Sequence, residues 1–144
     1  MSIKILYGSE TGNSINLADK AAANFKAAGK EAEVLDMGQV SFDSLKGYES
    51  VIVITSTFGD GEPPFNAATL HEELKSKNGE ELKDLKFAVY ALGQSFYPLF
   101  AQTGVDFDEY LENNGASRIK EVFKSDDDFE ETFEPWLEEV KKSI

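Results

Sequence analysis

Residues 51–65 read VIVITSTFGDGEPPF, and this stretch decides the fold class. Val51, Ile52, Val53 and Ile54 are β-branched and apolar in an unbroken run, the pattern of a strand covered on both faces. The hydroxyls of Thr55, Ser56 and Thr57 then take over, and Phe58 follows at once. Gly59 and Gly61 let the backbone turn between Asp60 and Glu62, and Pro63 and Pro64 cannot continue a sheet. A buried strand that stops in an exposed aromatic among glycines offers a surface for something flat.

Similar apolar runs lie to either side. Ile3, Ile5, Leu6 and Tyr7 stop at Gly8, a shorter strand is centred on Val34 and Leu35, and FAVYAL at 87–92 stops at Gly93. Residues 118–123 alternate weakly and read as a continuous fifth strand near an edge. Between them Ile15, Ala18, Ala22 and Phe25 fall on one helix face that Gly29 ends. Residues 40–48 carry little signal. A helix over about 66–77 packs through Leu70 and Leu74 and breaks at Asn78-Gly79, and another over about 104–113 stops at Gly115. Phe129, Phe133, Trp136, Leu137 and Val140 share one face of a closing helix, which Pro135 should kink or delay. Strands alternating with helices predict an α/β protein, a parallel sheet with helices on both faces. Ligands in such sheets sit outside the carboxyl ends of the strands, where the strand order reverses.

The 144 residues fit a single domain, 1–144. Lys and Arg number 14 against 27 Asp and Glu, and the net charge of -13 repels nucleic acid and anionic lipid while attracting basic proteins. There is no cysteine, which excludes disulfides, thiolate nucleophiles and Cys-ligated metals. His71, the one histidine, reads as a surface or packing residue, so no metal site is expected. The start, MSIKILYGSETGN, has no leader-like segment, and no apolar run approaches the ~20 residues that span a membrane. A cytoplasmic monomer is the expectation.

Three segments at strand ends carry the chemistry. Gly8 to the first helix passes through Ser9, Glu10, Thr11, Gly12, Asn13 and Ser14, whose hydroxyls, amide and glycine at a helix start are the parts of a phosphate nest. The run lacks the lysine of a nucleoside-triphosphate loop and the glycine spacing of a dinucleotide fingerprint. Held by hydrogen bonds and a helix end alone, a monophosphate suits it better than a triphosphate. Ser9 and Thr11 acting only as helix caps is an equally good reading of this segment taken alone. Phe58 and Tyr97, each just past a buried strand, can sandwich a planar heterocycle whose edge meets the backbone near Gly59, Gly93 and Gln94. Phosphate at one segment and a flat ring between two others describe a mononucleotide.

On GSETGNS at 8–14, STFGDGEPPFNA at 56–67 and ALGQSFYPLF at 91–100, with Asp126, Asp127 and Asp128 before Trp136 as a weaker fourth piece, the chain resembles the flavodoxin family over essentially its full length. It is most similar to the FMN-binding domains of diflavin reductases, in a short-chain form without an insertion in the last strand. The resemblance implies a three-layer sandwich with a five-stranded parallel sheet of order 2-1-3-4-5, noncovalent FMN and electron transfer. It implies that residues 9–14 hold the FMN phosphate. Ser56, Thr57, Phe58, Gly59, Asp60 and Gly61 would line one side of the ring. Leu92, Gly93, Gln94, Ser95, Phe96 and Tyr97 would line the other, with Tyr97 as the stacking ring and Phe100 closing the motif. Asp127 matches an acidic residue near the flavin. A glycine beside the ring, Gly59 or Gly93, would let a peptide turn toward it.

No FAD or nicotinamide domain follows Ile144, so the expected role is an electron carrier rather than a stand-alone catalyst. It would receive electrons from an NAD(P)H-dependent flavoprotein reductase and deliver them to a redox acceptor protein through its acidic surface. Two rivals stand beside it. An FMN-dependent quinone or substrate reductase would need a general acid or substrate pocket, which the sequence does not display. A flavin-free signalling module holding Mg²⁺ would need acids at the ends of the first and third strands, where Tyr7-Gly8 and Ser56-Thr57 stand instead.

Overall fold

The computed structural model describes residues 2–8, 12–57, 63–77, 79–93, 101–126 and 128–144. The central strand is β3, Ser50–Ser56, buried as the apolar run predicts. Val51 and Val53 enter the core on one face of the sheet, and Ile52 and Ile54 enter the core on the other. On one side β3 pairs in parallel with β1, Ser2–Gly8, and β1 with β2, Glu31–Asp36. On the other it pairs with β4, Lys86–Leu92. The sheet order is β2-β1-β3-β4-β5, with β5 beginning the fifth position at Ser117–Arg118, so the chain reverses direction across the sheet between β1 and β3.

The fifth position is the one departure from a simple alternation. It is built from two short pieces, β5 at Ser117–Arg118 and β6 at Phe123–Ser125, both parallel to β4. The expected continuous strand over 118–123 is therefore corrected. Ile119 and Phe123 pack toward the same core cluster, and an unbroken strand would turn Glu121 to that face as well. The break leaves Glu121 exposed, which avoids burying a carboxylate.

Two cores fill the faces. One lies beneath α1, Asn13–Ala27, and α5, Phe129–Lys141. The other lies beneath α2, Phe42–Leu45, α3, Ala68–Lys75, and α4, Gln102–Asn113. The buried stripe of α1 is Ser14, Leu17, Ala18, Ala21, Ala22 and Phe25. Its centre runs through Ala18, Ala21 and Phe25, so Ile15 sits on the flank and is 37% exposed, unlike the expectation that placed it on the core face. Gly29 and Gly115 follow the ends of α1 and α4, as their sequence positions predict. The weakly marked 40–48 segment holds α2, started by Ser41 and Ser44 in a reciprocal capping box.

Helix α5 runs through Pro135 and starts at Phe129, with no delay. Proline in a helix interior costs about 3 kcal/mol. Burial of Phe133, Trp136, Leu137 and Val140 contributes roughly 1.5–3 kcal/mol each and outweighs it.

Candidate functional site at the carboxyl ends of the strands

The strand register brings the three chemistry-bearing segments to one end of the sheet. Gly8 lies beside Thr55, Ser56 beside Leu92, and Leu92 beside Ser125, so the chain leaves β1, β3 and β4 at neighbouring points. Ser56 Oγ donates to Gly8 O at 3.4 Å and ties two of these exits together.

At the β1 exit, α1 begins behind Gly12, whose φ of 88° is left-handed and natural only to glycine. The N-cap residue Gly12 supplies no side-chain cap, and the first turn holds no acidic residue. Among the described residues, the first backbone bond that closes the helix runs from Asn16 N to Gly12 O at 3.1 Å. The amides of Asn13, Ser14 and Ile15 precede it, at the positive end of the helix dipole. Ser14 is fully buried and its Oγ has no hydrogen-bond partner. A buried hydroxyl without a partner costs about 1–3 kcal/mol, so its retention beside a helix start that no described side chain caps fits a bound anion. The phosphate of FMN has the required oxygens, and these residues fit it.

At the other exits the backbone is pinned on every side the structure describes. Beyond β3, Thr57 Oγ1 accepts from Thr103 N at 3.0 Å. Past 58–62, Asn66 Nδ2 reaches Asp36 Oδ1 at 3.1 Å, and Asp36 also accepts from Gly38 N at 2.7 Å and Tyr7 OH at 3.4 Å. Burial raises the Tyr7 pKa first, and the Asp36 carboxylate beside it raises it further. Beyond β4, Gly93 N donates to Ser125 O at 3.1 Å, and Ser125 Oγ donates to Ala91 O at 2.9 Å. The Gly93 amide is therefore held, and the peptide on its amino side is not free to turn. Tyr90 OH lies 3.0 Å from Phe129 O and 2.8 Å from Thr132 Oγ1, and burial raises its pKa.

Of the residues named from sequence, Gly12, Asn13, Ser14, Ser56, Thr57, Leu92 and Gly93 are described and fall at this end of the sheet. Ser9, Glu10, Thr11, Phe58, Gly59, Asp60, Gly61, Gln94, Ser95, Phe96, Tyr97, Phe100 and Asp127 lie outside the described residues. Sequence reasoning missed Asp36, Asn66, Thr103 and Ser125, which hold the exits in place. Asp36 and Ser125 each sit at a strand's carboxyl end, and that position was the available signal. His71 lies 2.9 Å from Asp106 Oδ2 and edge-on to Phe107 and Tyr110, between α3 and α4, as a packing residue.

The family model described as Flavodoxin matches residues 5–136. A sulfite reductase [NADPH] flavoprotein alpha-component of Bacillus subtilis is 39% identical over 142 residues, covering 99% of this chain and 24% of that protein. The chain thus spans about a quarter of the length of the curated relatives it matches. Among solved structures, the C101A mutant of a flavodoxin from Pseudomonas aeruginosa superposes with a TM-score of 0.86 at 31% identity, covering 100% of this chain and 99% of that one. A Streptococcus pneumonia TIGR4 flavodoxin gives a TM-score of 0.85 at 28% identity, with both chains covered in full at 100%. Strand order and these likenesses agree: the chain belongs to the flavodoxin family, whose members bind FMN.

Proposed function

We propose that this chain is an electron-carrying unit that holds FMN noncovalently. It would pass electrons from a separate NAD(P)H-dependent flavoprotein reductase to an acceptor protein. The observation that carries the reading is the buried, unpartnered Ser14 hydroxyl at the start of α1, which no described side chain caps. Bound FMN supplies the redox chemistry, and the chain supplies position, hydrogen bonds and charge.

In this reading the amides of Asn13, Ser14 and Ile15 and the Ser14 hydroxyl bind the phosphate, with Ser9 and Thr11 adding hydroxyls. Phe58 and Tyr97 would cover the two faces of the ring and keep water from it. Asp60, Glu62, Asp126 and Asp127 would oppose added negative charge on the ring. One carboxylate at ~10 Å with an effective dielectric of about 40 contributes about 0.8 kcal/mol, so several are needed for a strongly reducing protein.

The charge of -13 would steer a basic partner to the site in a short-lived encounter, and Phe65, 88% exposed just past 58–62, would add an apolar contact. The carrier would work as a monomer in the cytoplasm. The test is direct. Purified protein incubated with FMN and desalted should be yellow, release FMN on denaturation, and transfer electrons to a basic acceptor more slowly as ionic strength rises. A colourless protein that refuses added FMN overturns the reading, and salt-independent transfer overturns the encounter surface.

A further inference from the structure

We propose that Thr57 is a positioning residue: its hydroxyl caps α4 from across the sheet and so sets the spacing between the two chain exits that would flank the ring. The inference rests on the FMN reading above. Thr57 is the last described residue before 58–62, and Thr103 is the second residue of α4, the helix that follows 94–100. Their bond, Thr103 N to Thr57 Oγ1 at 3.0 Å, joins segments 46 residues apart in sequence.

Helix α4 does not receive this cap from its own N-cap residue. Its N-cap residue is Ala101, which has no side-chain acceptor and sits at a φ of 58°, the one positive φ of a non-glycine among the described residues. Such strain persists where surrounding structure over-determines the backbone. Here the surroundings are identifiable. Gly104 lies so close to β4 that an added Cβ would come within 2.2 Å of Ala91 Cβ, which fixes how near the helix start approaches the sheet. The Thr57 hydroxyl fixes where that start lies relative to β3. At the far end of 94–100, Gly93 N is held by Ser125 O.

The consequence is specific to a flat ligand. Atoms stacked against a ring lose a quarter to a half of their dispersion contact when the gap widens by ~0.5–1 Å. A bond that ties one exit to the other therefore acts on ring binding without touching the ring. Threonine suits the task because its β-branched side chain restricts χ1 and presents the oxygen in a fixed direction.

The experiment compares wild type, Thr57→Val, which keeps the shape and removes the acceptor, and Thr57→Ser, which keeps the acceptor. Apo protein is titrated with FMN and with riboflavin, the visible absorption of bound FMN is recorded, and amide exchange at Thr103 is measured in the apo form. Thr57→Val should weaken FMN and riboflavin by the same factor, about tenfold, shift the visible bands and speed exchange at Thr103. Thr57→Ser should restore all three. Val binding FMN with wild-type affinity and spectrum overturns the inference, as does Ser behaving like Val, or unchanged exchange at Thr103. If wild type itself takes up no FMN, the functional reading fails, and exchange at Thr103 still reports whether the cap exists.

Discussion

Two helices start at the same end of the sheet, and they start differently. Both α1 and α4 follow a residue with positive φ, Gly12 at 88° and Ala101 at 58°, and both lack a side-chain cap from their N-cap residue and an acidic residue in the first turn. In α4 a hydroxyl from β3's end fills the vacancy, through the 3.0 Å bond from Thr103 N to Thr57 Oγ1. In α1 no described residue does so for the first-turn amides; Ser14 Oγ in α1 and Thr103 Oγ1 in α4 are both buried without a partner, so the two starts differ in their amides. The difference teaches what each helix end is for. The closed start serves architecture, holding the stem of a segment in place, and the open one is organised for an anion from outside the chain.

The largest effect expected from this contrast separates FMN from riboflavin. Two or three charge-assisted hydrogen bonds at the α1 start, each worth about 1.5–3 kcal/mol, give ~3–9 kcal/mol. FMN should bind at least ~10² times more tightly than riboflavin, as measured by fluorescence quenching on apo protein. Comparable affinities would mean that the open helix end is not a phosphate site.

A smaller effect tests the closed start. Gly104→Ala places a Cβ against Ala91, and overpacking of this kind costs about 1–3 kcal/mol in urea unfolding. The strain has a defined partner, so Ala91→Gly in the same chain should recover much of the loss, less the cost of glycine in a strand. A double variant no more stable than Gly104→Ala would show that the approach of α4 to β4 is set elsewhere.

What the sequence made legible follows the range of the interactions involved. The run at 51–54 announces a two-faced strand because successive side chains serve opposite cores, Val51 and Val53 one and Ile52 and Ile54 the other. From that, the glycine stops and the alternation of strands and helices, a parallel sheet with helices on both faces was within reach, while the strand order came with the family resemblance. Ser14 was within reach too, since a hydroxyl at a helix start is a local feature. Thr57 was named as lining the ring, and its described bond to Thr103, 46 residues on, was out of reach because no local pattern contains that pairing. The fifth strand was misjudged for a related reason. Glu121 is tolerable in a strand pattern until the core beneath it is known, and only the packing of Ile119 and Phe123 shows that it must turn away.

The smallest effect is the sharpest, because it turns on sign. Ser14→Ala removes a buried hydroxyl that has no partner in the free protein. Deleting such a group relieves an unpaid desolvation, so the apo protein should become more stable in urea by about 1 kcal/mol. The same change removes a phosphate donor and should weaken FMN about tenfold while leaving riboflavin affinity unchanged. Thr57→Val should instead destabilise the apo protein by about 1 kcal/mol and weaken both ligands alike, since it breaks a bond already made. Opposite signs on stability, with losses confined to FMN in one case and shared in the other, distinguish an open helix start from a closed one. If both variants destabilise the apo protein, the Ser14 hydroxyl is satisfied within the chain in solution and the contrast between the two helices collapses.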